Sequence, residues 1–227
     1  MQKFNNFFFS PFLREKNAAK KCAYVAMFTA ITVVCNGFLE FKILDTQFSF
    51  TVFVSFLVGI LAGGGAGFVC CVAGDLIGYL INSAGLLYMA WVGLSTGCFS
   101  LIAGVVFHNL KGRLVFKTVL YVFSSFVVCT ILINTTGFYF YSKAFNAAVF
   151  EKVAERFGDG FMYGGYLLYR LFVRMQIFNS LFNYALVAAA APVISRVKIQ
   201  GKSLLEKRFD VEKIENAEKG VIESGNR

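Results

Sequence analysis

The sequence predicts an all-α membrane protein with six transmembrane helices and both termini in the cytoplasm. Three observations carry that reading. Hydrophobic residues make up 57% of the 227, with 28 phenylalanines, while charged residues are only 15%, against about 25% in a soluble domain. Apolar runs of bilayer-spanning length recur along the chain. The charges sum to +9 and fall between those runs, with Lys and Arg biased to one side as in polytopic membrane proteins. A nucleic-acid-binding protein would need its basic residues along an exposed stripe. Membrane lipid is therefore the expected surrounding, and no nucleic-acid partner is expected.

A spanning helix needs roughly 20 apolar residues. Runs near that length lie at Cys22–Phe38, Tyr88–Phe107 and Val115–Ile133, the last carrying only Lys117 near its start. The stretch Phe48–Ile81 has no charge apart from Asp75. As one helix it would overshoot the bilayer, since ~34 residues at ~1.5 Å each reach about 51 Å. Gly63-Gly64-Gly65 at its middle permits a backbone reversal, so the stretch divides into two short helices. The sixth span is Gly164–Ile194, which contains Arg170 and Arg174.

The membrane domain is thus residues 22–194, between an N-terminal segment 1–21 and a tail 195–227. The Phe7-Phe8-Phe9 cluster is too short to span and has no small-residue cleavage site. Its mix of aromatic and basic residues suits the headgroup region. The tail has helical character around Leu204–Ile214 and suits a solvated cytoplasmic helix.

Orientation follows from Lys and Arg. The N-terminal segment holds Lys3, Arg14, Lys16, Lys20 and Lys21 against Glu15, and the loop after the fourth helix holds Lys111, Arg113 and Lys117 with no acid. The basic residues of the tail crowd near the membrane. The opposite loops carry Lys42, Lys143, Lys152 and Arg156 against Glu40, Asp45, Glu151, Glu155 and Asp159. Both termini and the 108–117 loop are therefore expected inside, which an even number of helices requires.

Four features bear on function. Asp75, in Gly74-Asp75-Leu76-Ile77-Gly78-Tyr79, is an ionisable residue within a span, where it needs a cavity or a partner. It either tethers helices or belongs to a ligand pocket. Arg170 and Arg174 at i, i+4 share one face of a helix, and a guanidinium left over after pairing with Asp75 suits an anionic ligand held bidentately. The competing reading has Arg170 reaching the headgroups and Arg174 pairing with Asp75. Ala19, Ala23, Ala26 and Ala30 line one face of the first helix, a close-approach surface either for another protein or for this chain's own helices. Finally Tyr79, Tyr88, Trp91, Asn134, Tyr139 and Tyr141 cluster towards the outer side. There they form an interfacial belt or wall a pocket for a flat ring with amides reading its edge.

No catalytic constellation is present: neither a Ser–His–Asp nor a Cys–His set, no phosphate-binding loop ending in GK[ST], and no HExxH. The chain is not expected to be an enzyme or to hydrolyse ATP. The six cysteines, at 22, 35, 70, 71, 98 and 129, show no CxxC pattern and fall in spans, where cysteine serves as a small apolar filler. No metal or cofactor is expected.

In order along the chain, these features resemble the substrate-binding (S) components of energy-coupling factor (ECF) vitamin transporters, the folate-specific ones in particular, over about residues 20–190. The carriers are the alanine stripe, the phenylalanine-rich segment Phe48-Ser49-Phe50 leading to Gly59-Ile60-Leu61-Ala62-Gly63, and the Asp75-Leu76-Ile77-Gly78-Tyr79 motif. Ile133-Asn134-Thr135 and Tyr141-Ser142-Lys143-Ala144-Phe145 are similar to the Asn-Thr and Tyr-Gly-Lys-Ala-Phe segments of folate members. Arg170 resembles the arginine opening their sixth helix, and Arg174 stands for a nearby basic residue. Two prolines of folate members are missing: Asn82–Trp91 has none, and Phe178-Asn179-Ser180 stands where the other is expected.

The resemblance implies a six-helix S-component bundle that takes a folate-like vitamin from outside. It further implies docking of that bundle on a transmembrane coupling subunit driven by two cytoplasmic ATPase subunits in a bacterial plasma membrane. Asp75, Tyr79, Asn134, Arg170 and Arg174 would then form the pocket, and Ala19, Ala23, Ala26 and Ala30 the docking face. An S component for pantothenate or riboflavin, or a structural membrane protein of similar helix plan, is the alternative.

Overall fold

The computed structural model describes residues 8–39, 41–43, 46–82, 87–110, 112–146, 148–158, 160, 162–199 and 202–203. Phe7 and the tail helix expected at Leu204–Ile214 lie outside the described residues. A short α1 (Pro11–Arg14) leads into α2 (Ala18–Phe38), a hairpin of β1 (Phe41–Ile43) and β2 (Thr46–Phe48), then α3 (Thr51–Ala62) and α4 (Gly64–Ile81). The hairpin is antiparallel and in register Phe41 to Phe48. α5 (Ala90–Gly104) continues through a wide π-type turn, Val105–Asn109. α6 (Leu114–Ser125), a π-type stretch Phe126–Thr135 and α7 (Thr136–Phe145) follow without a break. α8 (Ala148–Phe157) and α9 (Met162–Leu168) come next, then a π-type turn Tyr169–Val173 and α10 (Gln176–Arg196). A small hairpin of β3 (Lys198–Ile199) and β4 (Lys202–Ser203) ends the described part.

Five helical segments are long and apolar enough to cross a membrane: Ala18–Asn36, Gly64–Ile81, Ala90–Asn109, Leu114–Phe145 and Gln176–Arg196. The sixth, α3, has 12 residues, so its rise of about 18 Å covers little over half of a ~30 Å hydrocarbon core. The apolar stretch 48–81 divides at Gly63, whose φ of 103° belongs to the region open chiefly to glycine. Large apolar side chains on the outside of the bundle, such as Leu80 at 70% exposed, Val115 at 74% and Phe123 at 67%, are those expected where lipid replaces water.

α3 sits at the centre. On one side Val58 and Ala62 join Leu13, Phe28, Ala66 and Cys70 in a core shared with α1, α2 and α4. On the other Phe56 and Ile60 meet Phe107 of the turn after α5, Tyr121 of α6, and Tyr184 and Val187 of α10. α3 and α5 cross at Gly59, where an added Cβ would collide with the Ser100 carbonyl, and α4 and α5 cross at Gly64 and Gly104. Small residues at these crossings let backbones approach, which is how helices gain packing energy in lipid.

Two segments depart from the sequence reading. The N-terminal segment does not simply rest among headgroups: Leu13 is fully buried and Phe8, Phe9 and Phe12 pack on the first core. The Ser10 amide donates to the Ala62 carbonyl at 2.8 Å and its hydroxyl to the Leu61 carbonyl at 2.6 Å. The glycine turn therefore also makes room for this segment, because a Cβ on Gly63 would strike the Phe8–Ser10 backbone.

The sixth span is the second departure. Gly164–Ile194 is not one helix but breaks at Arg174-Met175. The Arg174 amide donates to the Tyr169 carbonyl at 3.0 Å, a five-residue step. Met175 takes φ 51° and ψ 24°, a left-handed conformation uncommon outside glycine. The spacing argument that put Arg170 and Arg174 on one α-helical face does not hold across this break.

Candidate functional site

The site begins with how α3 starts. Its N-terminus has no side-chain cap of its own, although the first amides of a helix need partners. α10 supplies them. The Phe53 amide donates to Asn183 Oδ1 at 3.1 Å, and the Ser49 amide to Asn179 Oδ1 at 3.3 Å. Asn183 Nδ2 donates to the Ser49 carbonyl at 2.7 Å. Asn183 is fully buried. This clamp fixes Ser49 and Thr51 at the edge of a cavity.

That first chamber, of about 270 Å³, is lined by Ser49 and Thr51 at the start of α3, Ser95 and Thr96 of α5, and Thr130 and Asn134 of the wide stretch. Phe138, Arg170, Gln176, Asn179 and Ser180 also line it, with Val52, Val92 and Phe99 as its apolar part. A second chamber of about 320 Å³ has Tyr141, Ser142, Asn146, Tyr166, Tyr169 and Arg174 among its lining. Phe138, Arg170 and Gln176 belong to both.

Arg170 stands on that shared wall. Its Nη1 donates to the Asn134 carbonyl at 2.7 Å, and its guanidinium carbon lies 4.0 Å from the centre of the Phe138 ring. Stacking on an aromatic face favours Arg and leaves the fork's other N–H groups for a partner. Among the described residues, no carboxylate pairs with it.

Asn134 is wired on one side only. Its Nδ2 donates to Ser95 Oγ at 2.9 Å, and Ser95 passes its own proton to the Cys129 carbonyl at 3.3 Å. The Asn134 Oδ1 atom is buried without a partner among the described residues. Phe138 and Tyr141 of α7 pack on Trp91, with ring centres 5.7 and 5.9 Å apart. Gly137 makes room for the indole.

Of the residues the sequence singles out, Asn134 and Arg170 come together in the first chamber and Arg174 joins Arg170 in the second. Asp75 and Tyr79 line neither. The Tyr88 hydroxyl donates to the Asp75 carboxylate, whose Oδ2 lies against Gly93. Asn36 Nδ2 approaches Asp75 Oδ1 at 3.5 Å. Asp75 is not paired with either arginine among the described residues. Tyr79 packs on Tyr88 with ring centres 5.1 Å apart. The four alanines Ala19, Ala23, Ala26 and Ala30 are all exposed on the outside of α2, so among the described residues the stripe is not used for packing within the chain.

The sequence reading missed Thr51, Ser95, Thr96, Gln176, Asn179 and Asn183. Single hydroxyls in apolar helices carry no signal. The amides at 179 and 183 did carry one, since a four-residue spacing puts both on one helical face.

The profile of one family, described as the ECF transporter substrate-specific component, matches residues 20–195. The chain belongs to that family. The crystal structure of FolT bound with folic acid superimposes with a TM-score of 0.57 at 17% identity, over 82% of this chain and 98% of that one. At that identity the likeness establishes the fold. No curated protein sequence matches the chain. Members of this family are transporter components rather than enzymes, and the apolar helices make this one a multi-pass membrane protein.

Proposed function

We propose that this chain is the membrane-embedded substrate-binding subunit of an ECF-type ABC transporter, and that it captures folate or a folate derivative outside a bacterial plasma membrane. The observation that carries the reading is Arg170: a guanidinium on the wall between two chambers, engaged by a carbonyl and an aromatic face but, among the described residues, by no carboxylate. A cation taken out of water without a counter-charge is costly, and a ligand carboxylate offsets that cost through two parallel hydrogen bonds.

The two chambers suit a ligand with two parts. A flat, hydrogen-bonding ring fits beside the amide and hydroxyls of the first, and an acidic tail fits beside Arg170 and Arg174 of the second. Folate has both, and folic acid is what FolT holds in the structural neighbour. Pantothenate also carries a carboxylate and is the second reading. Riboflavin carries none and leaves Arg170 without a role.

Uptake requires partners, because the chain has no nucleotide-binding motif. The exposed alanine face of α2 is assigned to the transmembrane coupling subunit, which two cytoplasmic ATPases would drive. The Lys and Arg distribution supports both termini inside, with the chambers opening outward.

Calorimetry on the purified protein tests the reading. Folic acid is expected to bind with submicromolar affinity, and Arg170→Ala to weaken it by about a hundredfold, the scale of a charged hydrogen-bond pair. Affinity for every vitamin tested, folate and pantothenate included, that is unchanged in Arg170→Ala would sink it.

A further inference from the structure

Arg170 and the asparagines of α10 face one cavity in a way that an unbroken α-helix forbids. Asn179 lies nine positions after Arg170, and at about 100° per residue that is roughly 180° around a continuous helix. Asn183 would lie about 220° around, again on the far side. Yet Arg170 and Asn179 both line the first chamber. The Asn134 carbonyl and the Phe138 ring hold the guanidinium there, and the Ser49 amide holds Asn179.

Within α10 the phase is regular, since Gln176, Asn179 and Asn183 fall within about 60° of one another. The turn of phase therefore lies between 170 and 176. The wide turn closed by the Arg174 amide on the Tyr169 carbonyl is there, and so is Met175 with φ 51° and ψ 24°. The Met175 carbonyl accepts from the Phe178 and Asn179 amides at 3.0 and 3.4 Å, so α10 starts from this residue. Its side chain is 38% exposed, too open to hold the backbone in a conformation that L-residues avoid. The hold comes from both flanks: Asn134 and Phe138 fix Arg170 on one, and Ser49 and Phe53 fix α10 through Asn179 and Asn183 on the other. The residue between them takes up the mismatch, as strained residues do when their surroundings over-determine them.

We infer that Met175 is a positioning residue of the ligand site: its left-handed backbone turns Arg170 to the same side as Asn179 and so builds the wall between the two chambers. The role belongs to the backbone and not to the methionine side chain. Its effect on ligand rests on Arg170 contacting the ligand, as proposed above, whereas its effect on the wall does not.

Trp91 supplies a readout that needs no ligand. It is the single tryptophan of the chain and packs on Phe138, the ring that Arg170 covers, so its indole N–H resonance reports where the guanidinium lies. Met175→Gly and Met175→Asn are chemically unlike methionine but tolerate the left-handed region. In nanodiscs both are expected to keep the Trp91 resonance of the ligand-free wild type, and a folic acid affinity within about twofold of it. Met175→Ile stays apolar and similar in size, but a β-branched residue cannot hold this conformation without strain. It is expected to move the Trp91 resonance as Arg170→Ala does and to weaken folic acid about tenfold. In an Arg170→Ala background it is expected to change neither reading further.

A wild-type Trp91 resonance in Met175→Ile would overturn the proposal. So would a Met175→Gly or Met175→Asn protein that moves it as far as Arg170→Ala does, the mark of a side chain needed for packing. Should Met175→Ile not fold, the melting temperature of Met175→Gly decides. At or above that of the wild type is expected, because glycine removes the strain, and a lower value overturns the proposal. Folic acid affinity that stays at the wild-type value even in Arg170→Ala, with the Trp91 shifts as expected, removes the folate reading and leaves the role of Met175 standing.

Discussion

Arg170 and Asn134 are joined through 2.7 Å, from guanidinium to backbone carbonyl, and both residues sit where their helices are wound more widely than an α-helix. Wide turns of this kind recur at functional sites because they re-aim side chains and leave carbonyls open to other donors. Here the wide stretch Phe126–Thr135 places Asn134 in the lining of the first chamber, with its carbonyl accepting from Arg170. One arm of the guanidinium fork is thereby spent on orientation, and the others remain for a ligand.

That division of the fork separates Arg from Lys. A lysine at 170 would keep the charge but lose both the planar stack on Phe138 and the second donor direction. Arg170→Lys is expected to weaken folic acid binding by about tenfold or more, while the melting temperature of the ligand-free protein changes little. Calorimetry and a thermal melt of the same sample check this. Wild-type affinity in the lysine variant would mean that charge alone suffices and the geometric argument is wrong.

The asparagine clamp makes a prediction about stability. Asn183 is fully buried and serves both the Phe53 amide and the Ser49 carbonyl. Asn183→Leu keeps the branched shape, though with more bulk, and strands both backbone groups in a dry site, at about 2–3 kcal/mol or more. A clear drop in melting temperature is expected, together with weaker folic acid binding, since Ser49 and Thr51 lose their anchor. Asn179→Leu should act in the same direction but less, as it holds only the Ser49 amide among the bonds to α3. Equal stability of Asn183→Leu and wild type would show that the α3 start needs no clamp.

What the sequence shows and hides follows from the same features. The membrane class, the division at Gly63 and the spans at α2, α4, α5 and α10 rest on composition and run length, which a single chain displays directly. The break at Arg174-Met175 was not legible, because neither residue is a glycine or proline and a charge within a span does not by itself mark a helix end. The four-residue reading of the two arginines failed for that reason. Asp75 was legible as a charge within a span, but its relation to the first chamber runs through Asn36 and Thr51, and no spacing rule connects positions 36, 51 and 75. The pairing of Asn134 with Arg170 lies in the same class: each was visible alone, and only the wide turns bring them together.

The glycine turn gives a prediction about the N-terminal segment. Gly63 has φ 103°, and the backbone of Phe8–Ser10 occupies the space a Cβ would need. Gly63→Ala should therefore combine backbone strain with expulsion of the segment, destabilising by more than the ~1 kcal/mol usual for glycine in a left-handed position. Limited proteolysis is expected to cut near residues 8–14 in Gly63→Ala while sparing the wild type. Equal protection of both would show that the segment does not depend on the turn.

The exposed alanine stripe gives the last prediction, and it concerns the partner rather than the ligand. Ala26 and Ala30 project from the outside of α2, whereas both chambers are lined by residues of other elements. Leucine at these positions fits readily in lipid and leaves the internal packing untouched, so Ala26→Leu with Ala30→Leu should melt and bind folic acid as the wild type does. A second helix, however, can approach only as closely as those side chains allow, and close approach is the source of helix association in lipid. Co-purification with the coupling subunit and folate uptake in reconstituted vesicles are expected to be lost together. Uptake at the wild-type rate in the double variant would assign the docking face elsewhere, and lost folic acid binding would mean that α2 shapes the chambers after all.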